Sequence, residues 1–358
     1  MRRGDDLEFS EIPAIPSPYW GKREMEVRPG LGAQIRVVSF GEKSERGCLV
    51  GIQPAWESWQ FRTELDFRAA LFDLLSSARQ AGFLEGKSCV VLPELVVLQL
   101  LLVDEFPWVT LSPTWQQALT TALGDEKAWR LVAALAKSKA LGWDRAVALE
   151  VIQGKLHRAL EAWVSSFSLA AQEFNTAIFA GTMLLPPEAA VTEFGLSWPS
   201  EINPGQGLSV GGLLVYPDGS LASEIVWKQE PAQTEIALFA LGRQAGPVLY
   251  DTPIGSMAVL LGEDAWLPGA TGLCSGAELI VSPSLRWAGD HRHEWAEKGI
   301  NSMIHRTSAK SGMTLFNRCG LFERKSIGEP ILALNGNYTT LAHSGREEPE
   351  STVIGLWL

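Results

Sequence analysis

The sequence predicts an α/β protein in which two mixed β-sheets face each other and helices cover the outside. Three observations point there. Short apolar runs of strand length alternate with longer stretches whose apolar residues recur at helical spacing. Two such runs flank Pro217-Asp218-Gly219-Ser220, a hairpin signal, because Asp-Gly suits the positive-φ positions of a tight turn. Elsewhere the runs are separated by helical stretches, so βαβ units stand beside the hairpin.

Residues 1–33 are rich in Pro, Gly and charge, and the sequence sets an irregular N-terminal arm at 1–46 and a single domain at 47–358. Cys48–Gln53 reads as a strand. Phe61–Gly82 places Phe61, Leu65, Phe67, Leu71, Leu74 and Leu75 near helical period, with Gly82 as the stop. Ser88–Leu92 is a short apolar strand ended by Pro93, which cannot donate to a ladder. Residues 99–173 are mostly helical in pattern, and a helical insertion is expected near 105–160. Ala177–Leu185 is a strand closed by Pro186-Pro187, and the hairpin arms are Leu208–Tyr216 and Leu221–Trp227. Ser256–Leu261, Glu278–Val281, Met313–Phe316, Ile331–Leu334 and Val353–Trp357 complete the strands, with a helix over His291–Ser311.

Composition bounds the function. The 358 residues are 46% hydrophobic and 20% charged, the balance of a globular chain able to bury a substantial core. A net charge of −11 argues against nucleic acid, which needs a basic face. The two arginines after Met1 are followed by no apolar stretch, so no secretory signal is expected there, and the apolar run Val90–Val103 is too short and too polar to span a bilayer. A cytoplasmic protein that binds no membrane is the expectation. Cys48, Cys89, Cys274 and Cys319 lie far apart, without metal-ligand spacing, and read as free thiols. His291 and His293 read as the polar start of a helix. No metal and no cofactor are expected.

Three segments can carry chemistry. Glu94 follows the strand Val90-Val91-Leu92 and Pro93, where α/β folds place their sites, and its apolar neighbours would raise its pKa toward that of a general base or acid. Lys228 follows Ile225-Val226-Trp227 and could hold an oxyanion. Ser256 to Leu261 runs into Gly262-Glu263-Asp264-Ala265-Trp266: an apolar strand, a small residue at a sharp turn, then two acids. Each has a bland reading as well: a strand-end carboxylate, a lysine reaching solvent, an ordinary turn glycine, with Asp264 capping the following helix and orienting the turn.

Taken together, in this order, the three segments resemble the Glu, Lys and Cys motifs of the nitrilase (carbon–nitrogen hydrolase) superfamily. The likeness extends to Val50-Gly51-Ile52-Gln53-Pro54, Ala180-Gly181-Thr182, Gly276 to Ser284, Arg306 to Ala309 and Asn317-Arg318-Cys319-Gly320, so it covers roughly residues 47–357. The Glu-Asp-Ala-Trp wording is most similar to the glutaminase parts of glutamine-dependent NAD synthetases. The resemblance implies a four-layer α-β-β-α sandwich. It also implies an amidase-type site with Glu94 as base and Lys228 on the oxyanion. Glu235, or less well Glu230, would be a second acid near the lysine, and Gly262 stands where the nucleophilic cysteine belongs. Cys274, Glu263 and Ser256 are poor substitutes: packed, pointing elsewhere, and at the far end of the strand.

Two functions follow. One is a pseudoenzyme that keeps the fold for ligand binding or assembly. The other is an amide or nitrile hydrolase whose nucleophile is replaced at position 262 or supplied by another group. Either would take a small amide or nitrile ligand. The family also implies a homodimer or larger homo-oligomer, with the apolar segment Val353–Leu358 as a contact surface.

Overall fold

The computed structural model describes residues 23–29, 34–103, 143–199 except 194, 208–229, 248–286 except 268, 295, 299–318, 320–321, 324–325, 328–342 and 350–358. Its strands begin with β1 (Arg23–Pro29), β2 (Gln34–Phe40), β3 (Cys48–Gln53), β4 (Ser88–Val91) and β5 (Ala177–Leu185). A small hairpin, β6 (Ala190–Thr192) with β7 (Gly195–Ser197), precedes β8 (Ser209–Val215) and β9 (Val226–Trp227). Then come β10 (Val248–Thr252), β11 (Gly255–Val259), β12 (Leu279–Ser284) and β13 (Ser311–Phe316). The chain closes with the short pair β14 (Gly320–Leu321) and β15 (Arg324–Lys325), then β16 (Ile331–Leu334), β17 (Asn337–Thr340) and β18 (Glu350–Trp357).

Two sheets result. The first has the order β1-β2-β18-β3-β4-β5-β8-β9 and the second β10-β11-β12-β13-β16-β17. Period-two alternation decides what lies between them. Leu49, Val91, Phe179, Leu214 and Ile354 of the first sheet bury against Met257, Val259, Val281, Met313 and Leu315 of the second. The alternate residues of the first sheet, Val50, Ile52, Val90 and Ile178, face outward onto helices α1 (Glu64–Gln80) and α2 (Trp143–Phe174), through Phe67, Leu71, Leu75, Trp163 and Phe167. On the far side Ala258, Leu260 and Ile280 pack against the Ile300–Arg306 helix through Ile300, Met303 and Ile304. The layers are therefore α-β-β-α, as the sequence predicts.

Helix α1 shows how local signals set an element. Thr63 caps it by accepting from the Asp66 N–H at 3.1 Å, and Glu64 and Asp66 put negative charge at the positive end of its dipole. Gly82 ends it at φ +79°, where the Phe83 N–H returns to the Ala78 carbonyl at 3.0 Å. The helix is shorter than the expected 61–82: Phe61 lies in the 3-10 turn before it, and Leu65 is exposed.

Three expectations need correction. Within the supposed irregular arm, 23–29 and 34–40 are strands: β2 pairs in parallel with β18, a partner some three hundred residues away that no local pattern announces. The second hairpin arm is reduced to Val226–Trp227 and a bridge at Leu221, with the register shifted between them and the Glu224 carbonyl there accepting from the Tyr250 hydroxyl instead. The segment Val353–Leu358 is no contact surface. Val353 to Trp357 are buried in β18, hydrogen-bonded on both sides to β2 and β3. Of the expected helical insertion, 104–142 lie outside the described residues, and α2 occupies the rest. Among the described residues no helix is long and apolar enough to cross a membrane.

Candidate active site

Several chain segments meet at one end of the sandwich. The first leaves β4 through Leu92 and Pro93 and turns at Glu94. This turn is held against β5: the Leu95 N–H donates to the Thr182 hydroxyl at 2.8 Å, with Leu95 itself at φ +50°. Gly181 is there because nothing larger fits. A Cβ at that position would stand 2.5 Å from Val96 Cγ1 and 2.6 Å from the Pro93 carbonyl oxygen. The Ala180-Gly181-Thr182 stretch thus clamps the Glu94 turn.

The second sheet supplies two further contacts. The Leu285 N–H, just past β12, donates to Glu94 Oε2 at 3.0 Å. The Asn317 side-chain amide, just past β13, donates to the Glu94 carbonyl at 2.9 Å. Beside it, Gln53 Nε2 at the end of β3 donates to the Phe316 carbonyl at 2.8 Å. Glu94 is fully buried.

Lys228 follows β9 and comes to the same point, its ammonium 2.7 Å from Glu94 Oε1 and itself only 2% exposed. Two opposite charges taken this far from water each offset the other's desolvation. A third charge joins them: Glu263 Oε2 lies 3.1 Å from Lys228 Nζ. The expectation that Glu263 points elsewhere is therefore corrected, because the turn at 262 bends its side chain back over the lysine. Asp264, read as a helix cap, instead accepts from the Gln229 N–H with both oxygens at 3.1 Å, tying the turn to the residue after Lys228.

Gly262 opens the 3-10 turn Gly262–Trp266 at φ +55°, in the left-handed region where any other residue would be strained by about 1–2 kcal/mol. A Cβ built on it stands 2.9 Å from Glu94 Oε2, 3.2 Å from Lys228 Nζ and 3.5 Å from Lys228 Cε. A side chain at 262 would therefore emerge between the carboxylate and the ammonium. The arrangement can take a proton at Glu94 and steady a negative oxygen at Lys228, and it carries no side-chain atom at 262 that attacks.

The other sequence candidates fall away from this point. Cys274 is buried in the outer layer, where burial pushes its thiol up to about 11. Ser256 opens the far end of β11 and donates to the Gly276 carbonyl. Trp266 packs edge-on to Trp295 in the outer layer, centroids 4.8 Å apart. Glu230, Glu235, His291 and His293 lie outside the described residues, among which no cluster of metal-ligating side chains occurs. The sequence reading missed Glu263 on Lys228 and the supporting roles of Thr182, Leu285 and Asn317. Only the Gly181-Thr182 and Asn317 motifs carried a signal for any of these.

No family model matches the sequence, and no curated protein matches it. Solved structures do match. A nitrilase-superfamily amidase from Nesterenkonia is 12% identical in a cysteine-to-serine variant, aligned over 87% of this chain and 92% of that one with a TM-score of 0.53. An amidase from Nesterenkonia sp. is 14% identical over 87% and 90%, also at 0.53. A cysteine-to-alanine variant of the Nesterenkonia amidase in complex with butyramide is 13% identical over 87% and 91%, again at 0.53. The fold is that of these nitrilase-superfamily amidases.

Proposed function

We propose that this chain is a carbon–nitrogen hydrolase of the amidase type in architecture that has lost its nucleophile, and that it serves as a catalytically inactive protein binding a small amide or nitrile. The observation that carries this reading is the position of Gly262. Its missing side chain would enter between Glu94 Oε2 and Lys228 Nζ, at 2.9 and 3.2 Å, which is where a thiol would have both its base and its oxyanion partner. The butyramide complex of a cysteine-to-alanine variant of the Nesterenkonia amidase supports the binding half of the reading, since that protein holds an amide with a cysteine removed.

The test is Gly262→Cys. The thiols among the described residues give a quiet background: burial pushes Cys89 up to about 12, Cys274 up to about 11, and Cys48 higher still. The unsubstituted chain should hydrolyse no amide. The variant should be alkylated at the new thiol above the background of the unsubstituted chain, and gain turnover on a panel of small amides and nitriles, a gain that Glu94→Gln removes. Hydrolysis by the unsubstituted chain that survives both Glu94→Gln and Lys228→Ala would overturn the assignment.

The second reading, a hydrolase whose cysteine is merely replaced at 262, draws on the survival of Glu94 and Lys228 as a buried pair. Full turnover regained by Gly262→Cys would favour it; labelling with only weak turnover favours the binding protein. Assembly as a homodimer or larger homo-oligomer belongs to the same proposal. A monodisperse monomer in light scattering at micromolar concentration would count against it.

A further inference from the structure

We propose that Glu263 is a positioning residue for Lys228, setting how much of the ammonium's charge reaches a group bound over Gly262; this rests on the reading of the site given above. Among the described residues, two carboxylates reach Lys228 from different directions. Glu94 comes from the first sheet, and its other oxygen is anchored by the Leu285 N–H. Glu263 comes from the turn of the second sheet, one residue beyond the position where a ligand or thiol would sit. The two carboxylates differ in their setting. Glu94 is fully buried, whereas the Glu263 side chain is 17% exposed, so it is the one that can move toward solvent. Asp264, the next residue, accepts from the Gln229 N–H with both oxygens.

The charge count gives this geometry its consequence. One ammonium lies between two carboxylates, so the trio is formally −1. While Glu263 stays in place, part of the lysine's field is cancelled at the position over Gly262. An anionic or oxyanionic group there meets a weakened lysine and a second negative charge. With Glu263 neutral, both effects relax in the same direction.

The experiment compares the pH dependence of thiol alkylation in Gly262→Cys with that in Gly262→Cys/Glu263→Gln and Gly262→Cys/Glu263→Asp. Glu263→Gln should lower the midpoint of the alkylation profile by about one pH unit, and Glu263→Asp should return it most of the way. A second measurement needs no substitution at 262. In protein carrying nitrogen-15 lysine, the ammonium protons of buried Lys228 should exchange with water several-fold faster after Glu263→Gln. A side chain that only packs would move neither quantity, and unchanged profiles and exchange rates overturn the proposal. Failure of the parent Gly262→Cys to label would instead sink the reading of the site, leaving the Lys228 exchange rate to decide the role of Glu263.

Discussion

Lys228→Ala should cost about 3–5 kcal/mol of stability, because it leaves the Glu94 carboxylate ionised and unpaired inside the protein. Glu94 is fully buried, and Lys228 Nζ stands 2.7 Å from one of its oxygens. The Leu285 N–H on the other oxygen is a dipole and cannot neutralise it. The double variant Lys228→Ala/Glu94→Gln should recover a large part of the loss, since two neutral groups need no mutual compensation, and a double-mutant cycle in urea reads the coupling directly. The pH dependence has a definite sign. In Lys228→Ala the folded state raises the Glu94 pKa above its unfolded value, so the unfolded state releases this proton first as pH rises. The deficit against the parent should be smallest near pH 4, grow as pH climbs through the ordinary glutamate range, and level off above the raised folded value. A deficit that is flat with pH, or under about 1 kcal/mol, would mean that the two charges are not held as described.

Removal of Thr352–Leu358 should abolish folding. These residues form nearly all of β18, which lies inside the first sheet with β2 parallel on one side and β3 antiparallel on the other. Val353, Ile354 and Leu356 are fully buried, two of them facing the second sheet and one facing α1. Without the strand β2 and β1 lose their attachment, β3 becomes an open edge, and both faces of the sheet lose core. A milder version, Ile354→Ala, should cost about 2–5 kcal/mol by opening a cavity between the sheets. Far-ultraviolet circular dichroism and solubility read the deletion, and a urea midpoint reads the substitution. A soluble, cooperatively unfolding deletion product would contradict the sheet order.

How much of this was legible in the sequence depends on how local each signal is. The strand Ser88–Val91, the stop at Gly82 and the Asp218-Gly219 turn are each written in a few neighbouring residues, and each appears where expected. The pairing of β2 with β18 is not local. It joins Gln34 to Glu350, and charged Arg23, Glu24, Glu26 and Arg28 hid β1 as an edge strand. At the site, Glu94, Lys228 and Gly262 could be named because strand ends and a sharp turn have recognisable residues. The direction of Glu263 could not, because it depends on a backbone at φ +55° one residue earlier. An Asp264 that serves Gln229 rather than a helix is the same kind of miss, a choice between nearby donors that only three-dimensional proximity decides.

The contacts around Glu94 also bear on how the two sheets are aligned. Apolar faces attract without direction, so two sheets pressed together by valines and leucines have little to stop them sliding by one residue. Glu94 belongs to the first sheet, yet Leu285 and Asn317 of the second grip its side chain and its carbonyl. The lysine it pairs with is touched in turn by Glu263 from the second sheet. These contacts act as dowels between two boards, admitting a single alignment. Glu94 and Lys228 therefore do the work of a joint, whatever else the site does.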